Sequence, residues 1–179
     1  MTKTPDTHLT RRNVLAGAGA ATLAMGQSAA ARVEPGTNSD FVYEVQKTEA
    51  EWLEQFGPKD YDILRLGYTE TPKSSPHWNE DREGMFHCRG CDLPIYDSKW
   101  KIMFDGKGWV FFLHGQPDAI LMNVDGHVPE YGQMAPPKEP LVEVHCSRCG
   151  CHQGHYLIIE GKMAHCINGA AMTFNPRVT

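Results

Sequence analysis

The pattern of apolar and polar positions predicts two short helices at the start of the folded part of the chain. Residues 48–51, Thr-Glu-Ala-Glu, have the form of a capping box, in which the threonine accepts from the amide three residues on. The apolar face that follows consists of Trp52, Leu53 and Phe56. Gly57-Pro58 ends this helix, and a second helix is predicted over 59–66. We interpret both helices as packing elements without chemistry.

Further along the chain, short apolar or alternating stretches predict β-strands. Residues 85–87, 141–144 and 162–171 have strand character, and an aromatic strand follows the glycine-marked turn before Trp109. We also predict a short edge strand from Phe41 to Val45 and a hairpin turn at Asp125-Gly126. No internal repeat is visible beyond two Cys-x-x-Cys units.

Composition bounds the class of protein. The chain has 179 residues, 41% hydrophobic and 22% charged, which is enough for one globular domain with a real core. The formal net charge is −5. Without residues 1–31, 14 basic and 21 acidic residues remain, a net charge of −7. This balance argues against binding to nucleic acid or to an anionic membrane surface.

Residues 1–31 are predicted to be a signal peptide that is removed before the protein works. Residues 10–15, Thr-Arg-Arg-Asn-Val-Leu, resemble the twin-arginine signal of bacteria, and Ala29-Ala30-Ala31 fits a cleavage site. The apolar run at 14–25 is too short to remain as a membrane anchor. We therefore expect a periplasmic protein that is exported already folded, with a linker over 32–40 and the domain over 41–179. The alternative is a disordered N-terminus with a chance pair of arginines.

Two cysteine pairs share the same spacing. Cys88 and Cys91 form one pair, and Cys146 and Cys149 form the other. Each pair is predicted to sit on a turn at the end of a strand. Four thiolates arranged in this way make a tetrahedral site for which Zn²⁺ is the usual occupant. The alternatives are two disulfides or one catalytic Cys-x-x-Cys.

The remaining two cysteines lie near two histidines. Cys166 stands outside the proposed metal site, with His152 and His155 upstream of it. The spacing of the histidines suits a metal pair or two hydrogen-bond donors converging on one atom. Because four cysteines already complete a tetrahedron, we favour a catalytic role for them. Cys151 is interpreted as an extra metal ligand, a resolving thiol or a buried small apolar residue.

Other side chains have open assignments. Trp109 either walls a pocket for an apolar group such as a methyl or belongs to the core, and core tryptophans are the commoner case. Asn168, two residues after Cys166, is expected on the same face of its strand. His114 and His127 have no evident partners and are predicted to be surface residues.

Together these residues resemble the B-type peptide methionine sulfoxide reductase family over most of 68–174. The resemblance rests on Thr69-Glu70, on 84–88 through Cys91, on 93–98, on Lys101, Gly108-Trp109 and Phe112, on Glu143-Val144, on the two cysteine pairs, on His152 and Gly154-His155, and on 166–171.

The resemblance implies a mainly β fold of two packed antiparallel sheets, stapled by a zinc site of four cysteines, with short N-terminal helices. It places structural zinc on Cys88, Cys91, Cys146 and Cys149. It places the nucleophile on Cys166 and further catalytic roles on His152, His155 and Asn168. It implies that Trp109, with Phe112, belongs to the substrate-binding pocket.

The implied reaction reduces methionine R-sulfoxide in peptides or proteins. Cys166 attacks the sulfoxide sulfur, an imidazole protonates the oxygen, and a sulfenic acid is left on Cys166. A thioredoxin-like or other dithiol reductant then restores the thiol.

The chain departs from the family pattern around the site. Val110-Phe111 replaces the usual Pro-Ser, Ala164 replaces an Arg, and His165 replaces an aromatic residue. Gln153 replaces a Leu, Lys107 occupies the common resolving-cysteine position, and the loop before Cys166 is shorter. We expect a protonated His165 to substitute in part for the missing Arg. The alternative function is a non-catalytic or repurposed zinc-binding relative that binds a partner or a sulfur ligand. A thiol oxidoreductase of thioredoxin type is not favoured, because no βαβ pattern surrounds either cysteine pair.

Overall fold

The structure is a computed structural model that describes residues 41–125 and 141–178. The predicted signal peptide (1–31), the linker (32–40), Gly126 of the predicted turn and His127 lie outside the described residues. Within the described ranges, no helix is both long enough and apolar enough to cross a membrane.

Two consecutive helices precede the sheets, α1 (Glu49–Phe56) and α2 (Pro58–Leu66). The predicted capping box is confirmed: the Glu51 amide donates to Thr48 Oγ1, and Glu51 Oε2 accepts from the Thr48 amide at 2.7 Å. Gly57, at φ +74°, ends α1. Trp52 and Phe56 are buried as predicted, whereas Leu53 is exposed because it lies off the face that meets the sheets.

The described residues form nine strands: β1 (Gly84–Cys88), β2 (Pro94–Asp97), β3 (Lys101–Ile102), β4 (Val110–Phe112), β5 (Ile120–Asp125), β6 (Leu141–Cys146), β7 (His152–Ile159), β8 (Lys162–Ile167) and β9 (Met172–Pro176). The strands make two antiparallel sheets, with strand orders β2-β1-β9 and β3-β4-β8-β7-β6-β5. The predicted fold class is therefore confirmed.

The predicted edge strand from Phe41 to Val45 is wrong. This segment pairs with no described strand; instead, the Val45 amide donates to the carbonyl of Arg148, beside the second cysteine pair. A short apolar run has no means of specifying a ladder partner, so tertiary contacts decide its conformation.

The main core contains side chains from both sheets and from the two helices, including Phe86, Tyr96, Phe112 and Leu64. The larger sheet carries a second apolar cluster on its opposite face, formed by Phe104, Phe111 and Ala164. Successive residues of a strand point to opposite faces, which explains why Phe111 and Phe112 enter different clusters. This second face of the larger sheet carries the candidate active site.

Candidate active site and metal centre

The two cysteine pairs meet at one end of the molecule. Cys88 and Cys146 are the last residues of β1 and β6, and the turns that follow carry Cys91 and Cys149. The four sulfurs all lie within 4.8 Å of one another. The Cys88 and Cys149 sulfurs are 3.6 Å apart, and those of Cys91 and Cys146 are 3.5 Å apart.

This donor set fits a tetrahedral zinc ion. Bonds of about 2.3 Å to four thiolates place the sulfurs about 3.8 Å from each other, close to the spacing observed. All four cysteines are free thiols rather than the two disulfides of the alternative interpretation. A metal ion held here joins the two sheets, since β1 belongs to the smaller sheet and β6 to the larger. We call this group of four cysteines the cage.

Cys151 lies beside the cage and is fully buried. Its side chain interacts with those of Cys88 and Cys149. It is not among the residues that line the cavity around Cys166. The fifth sulfur is therefore a neighbour of the metal centre.

A cavity of about 370 Å³ opens on the second face of the larger sheet. Four of the residues predicted for the site line it together: Cys166, His155, Asn168 and Trp109. His155 and Cys166 come from the consecutive strands β7 and β8, Asn168 follows β8, and Trp109 precedes the distant strand β4. The structure thus brings the sulfur, an imidazole, an amide and an indole to one space.

Strand register places the imidazole next to the sulfur. Cys166 on β8 pairs directly with His155 on β7 and with Phe111 on β4. Residues that face each other across antiparallel strands point to the same side of the sheet. Gly154 allows the close approach of these strands, because a Cβ there would lie 2.0 Å from the Cys166 carbonyl oxygen.

The rest of the cavity wall is largely apolar. Phe111, Leu157, Ile158 and Ile159 line it, while Thr69, Lys107 and Glu160 supply polar groups. Sequence reasoning did not select Phe111, which the register of β4 with β8 places on the face of Cys166. The cavity therefore suits an apolar side chain that carries one polar group.

Glu70 fixes the two residues that frame the cavity floor. Its carboxylate accepts from the amides of Gly169 and Ala170 at 2.7 and 2.9 Å, and its own amide donates to Asn168 Oδ1 at 3.0 Å. Its carbonyl accepts from Trp109 Nε1 at 3.1 Å. Burial raises the pKa of Glu70, against the effect of the amide hydrogen bonds. The sequence suggested no role for this residue, because its carboxylate reaches amides about 100 positions away.

His152 lies behind the cavity, where it contacts His155. The two rings are 5.2 Å apart at an angle of 62°, and His152 is fully buried. Its Nδ1 is 2.8 Å from Glu143 Oε1, and His145 Nδ1 is 3.3 Å from Glu143 Oε2. The histidines therefore do not converge on one atom: His155 faces the cavity and His152 supports it.

Glu143 and His145 are the members of this buried group that the sequence did not single out as functional. Glu143 lies between the two imidazoles. Burial by itself would raise its pKa, but the hydrogen bonds and charges of His145 and His152 outweigh burial and hold the pKa well below its usual range. The carboxylate is thus ionised at neutral pH. It orients His152 as a carboxylate orients the imidazole of a catalytic triad.

Two expectations for aromatic and histidine residues do not fit this geometry. Phe112 lies in the main core, stacked 4.2 Å from the ring of Tyr96, and does not line the cavity. His165 also lies on the core face, with Nδ1 2.9 Å from the Tyr96 hydroxyl. Burial lowers the pKa of His165 to about 4, so it supplies no positive charge to Cys166 at neutral pH.

The Cys166 thiol is protonated when the cavity is empty. Burial, followed by the nearby charge of Glu70, raises its pKa to about 12, while Lys107 opposes the shift. Reaction at neutral pH therefore needs a base that removes the proton as the sulfur attacks. Among the residues that line the cavity, the imidazole of His155 is suited to this task.

Comparison with known proteins shows consistent similarity. Residues 56–176 match the family described as the SelR domain. The chain is 38% identical over 141 residues to a peptide methionine sulfoxide reductase MsrB of Methylibium petroleiphilum, an alignment that covers 74% of this chain and 92% of that protein. It is 36% identical to the MsrB of Agrobacterium fabrum, covering 74% and 93%. It is 34% identical to peptide methionine sulfoxide reductase B3 of Arabidopsis thaliana, covering 74% and 71%.

Proposed function

The chain belongs to the B-type peptide methionine sulfoxide reductase family, and on that premise we propose that it reduces methionine R-sulfoxide in peptides and proteins. The observation that carries the proposal is the single cavity shared by Cys166, His155, Trp109 and Asn168. Of these, Cys166 is the nucleophile and the other three shape and assist its attack.

The proposed first step transfers an oxygen atom from one sulfur to another. His155 takes the thiol proton as Cys166 attacks the sulfoxide sulfur, and it returns a proton to the sulfoxide oxygen. The attack forms a bond between the two sulfurs. The protonated oxygen then moves to the Cys166 sulfur as the sulfur–oxygen bond of the substrate and the new sulfur–sulfur bond break, so that methionine leaves and Cys166 holds a sulfenic acid. The cysteine sulfur loses two electrons and the methionine sulfur gains them.

The surrounding residues position these groups. Trp109 seats the S-methyl group, with its indole held by the Glu70 carbonyl. Asn168, held by the Glu70 amide, fixes the geometry at the cavity floor. His152, oriented by Glu143, packs against His155 and limits its motion. Zinc bound by the cage would act as a structural staple and would take no part in the reaction.

The second step is reduction of the sulfenic acid by an external thiol. Lys107 occupies the common position of a resolving cysteine, and Cys151 is buried beside the cage. We propose that a thioredoxin-like or other dithiol reductant attacks the Cys166 sulfur directly. One thiol then forms a mixed disulfide with release of water, and its second thiol frees Cys166.

The cavity wall indicates a preference among substrates. Phe111, Leu157, Ile158 and Ile159 surround the entrance to Cys166, and the exposed fraction of Ile158 is 72%. Methionine sulfoxide flanked by apolar side chains would bury more apolar surface here than methionine sulfoxide flanked by charges. We expect a lower KM for the first kind of peptide.

The test uses protein without residues 1–31, dithiothreitol, and peptides that contain one sulfoxide epimer. Turnover of the R peptide alone, lost in Cys166→Ser and strongly reduced in His155→Ala, would support the proposal. His114→Ala is the matched control, since His114 is exposed and outside the cavity, and it should retain full turnover. Turnover of the S peptide, or turnover in Cys166→Ser, would contradict it.

The rival function is a non-catalytic relative that binds a sulfur ligand. The observation in its favour is Ala164, which stands in place of the family's Arg and is buried against Phe111 behind Cys166. A folded, zinc-loaded sample that binds the R peptide but does not reduce it would establish this rival.

We also propose export by the twin-arginine pathway, which rests on the sequence of residues 1–31 alone. Fusion of these residues to a reporter that is active only after export would test it. Replacing Arg11 and Arg12 with lysines should stop export. If the lysine variant is exported equally, or the intact fusion stays in the cytoplasm, the proposal is wrong.

A further inference from the structure

The cage has a fifth sulfur beside it. Cys151 is fully buried, and its side chain interacts with those of Cys88 and Cys149. The contact is tight: a Cβ added to Gly90, between the two cysteines of the first pair, would lie 2.6 Å from the Cys151 sulfur and 3.1 Å from the Cys149 sulfur. The two sulfurs thus face the same small space beneath the turn.

This space lies on one defined side of the cage. Cys88 and Cys149 form one close pair of sulfurs, and Cys91 and Cys146 form the other. The interactions of Cys151 with Cys88 and Cys149 place it beside the first pair. Cys151 is therefore a further thiol on this side of the cage, next to the Cys149 sulfur.

One further side chain prepares this side of the cage for negatively charged sulfur. The fully buried Gln153 donates through Nε2 to the Cys88 sulfur at 3.6 Å and to the Cys151 carbonyl at 3.1 Å. Such a donor beside a metal centre stabilises a thiolate and sets its direction.

The buried Gln153 side chain destabilises the fold on one side, because its Oε1 has no partner in the described part of the chain. The hydrogen bond from its Nε2 to the Cys88 sulfur opposes that cost. Cys151 and Gln153 therefore form one local arrangement directed at the cage.

We propose that Cys151 is a reserve ligand of the metal centre, which takes the place of Cys88 or Cys149 when either is lost. Hydrogen peroxide is one agent that removes a ligand: it transfers an oxygen atom to a cage thiolate, giving a sulfenate and water. The reserve thiol then completes four-sulfur coordination, and the ion stays bound. The cage keeps its zinc after one such event, whereas a cage of four alone does not.

The first test measures metal binding in variants. Cys88→Ala and Cys149→Ala should each retain one Zn²⁺ per chain, and adding Cys151→Ala should weaken Zn²⁺ binding by about 10–100-fold. Cobalt substitution supplies a second reading, because the intensity of the sulfur-to-cobalt charge-transfer band reports the number of thiolates. It should indicate four thiolates in each single variant and three in each double variant.

Cys91→Ala, with and without Cys151→Ala, is the matched control from the other sulfur pair. Its zinc affinity should fall and should be insensitive to Cys151. If Cys88→Ala and Cys149→Ala bind zinc equally well with and without Cys151, water completes the coordination and the proposal is wrong. Loss of zinc in both single variants also overturns it.

A second test leaves the cage intact at the start and so does not depend on the folding of cage variants. In a Cys166→Ser background, a small amount of methyl methanethiosulfonate caps single thiols, and native mass spectrometry reads the zinc on each capped chain. Chains that fragment mapping shows to be capped at Cys88 or Cys149 should retain zinc. They should lose it when Cys151 is also replaced by alanine; equal loss in both proteins would contradict a reserve role.

Discussion

Two regions of this molecule place cysteine sulfurs in opposite kinds of surroundings. At the cage end, four sulfurs lie within 4.8 Å of one another, three of their residues at most 3% exposed. At the cavity, Cys166 stands alone among the cavity residues, opposite an imidazole and open to a space of about 370 Å³. The cage sulfurs are suited to hold an ion and the cavity sulfur to meet a ligand. The cage cysteines and Cys166 are the same residue type. They differ in the number of neighbouring sulfurs and in their access to a cavity, and this difference separates the structural thiols from the reactive one.

The two regions are joined by β6 and β7. β6 carries Glu143 and, three residues later, Cys146 of the cage. β7 begins at His152, just after the second cysteine pair, and carries His155 into the cavity. Anchoring the start of β7 therefore also sets the direction of the imidazoles. We therefore expect substitutions in the cage to impair both folding and turnover. Substitution of Cys166 should impair turnover alone.

The largest expected effect comes from removing the metal. Stripping zinc by a chelator, or Cys146→Ala, should abolish cooperative folding and turnover together, since structural zinc contributes on the order of 10 kcal/mol. Cys166→Ser should lose turnover with a midpoint of thermal unfolding close to that of the wild type. Circular dichroism during heating and the peptide assay measure both properties. A metal-free protein that is stable and active would contradict the structural role assigned to the cage.

The next effect tests the link between them. Glu143→Gln removes the buried carboxylate that lies between His145 and His152, and loss of a hydrogen bond to a charged group costs about 1.5–3 kcal/mol. Because His155 loses its support, kcat should fall on the order of 10²-fold. Glu54→Gln, on the exposed side of α1, is the control and should change neither property. Unchanged kcat in Glu143→Gln would mean that the buried carboxylate is structural only.

The apolar cluster behind Cys166 gives a third prediction. Ala164 is fully buried against Phe104 and Phe111, so Ala164→Arg should destabilise the protein by about 3 kcal/mol through overpacking and an unpaired charge. Met163→Arg, at the exposed neighbouring position, should stay within about 0.5 kcal/mol. Urea unfolding measures both.

A double variant sharpens this prediction. Phe111→Ser should create room for the arginine, so Phe111→Ser with Ala164→Arg should be less destabilised than the sum of the two single variants. If the changes in the free energy of unfolding simply add, the two positions are independent, and the presence of Phe111 does not depend on that of Ala164.

The smallest effect concerns pH and the core face of β8. Burial lowers the pKa of His165 to about 4 from an ordinary value near 6.5, so the unfolded chain binds the proton more tightly. The stability that this histidine contributes is full above about pH 6.5 and is lost as pH falls towards 4. His165→Phe should flatten the fall in unfolding temperature over this window. His114→Phe removes only the smaller, electrostatic cause of the lowered His165 pKa, so it should flatten the fall less. An unchanged slope in His165→Phe would refute the assignment.

Local sequence was sufficient for some features of the protein. Cysteine spacing predicted a four-sulfur site, and Thr48 with Glu51 predicted the start of α1. Each Cys-x-x-Cys turn and the capping box depend on neighbours a few residues away, whereas the meeting of the two pairs follows from the four ligands that one tetrahedral ion needs. Cys166 and His155 were selected because the paired cysteines already complete a metal site, and the family resemblance then decided the open assignment of Trp109.

Only the tertiary structure decided which face of each strand carries chemistry. Alternation predicts that Phe111 and Phe112 point in opposite directions, but not which of them meets Cys166. The same holds for His165, and for His152 and His155, whose roles depend on the register of β7 with β6 and β8. Glu70 and Glu143 gained their roles from partners brought together by that pairing. β4 and β8 are far apart in sequence, whereas β6, β7 and β8 are consecutive. In both cases the register is fixed by which side chains the core buries, so the alternation within one strand does not contain it.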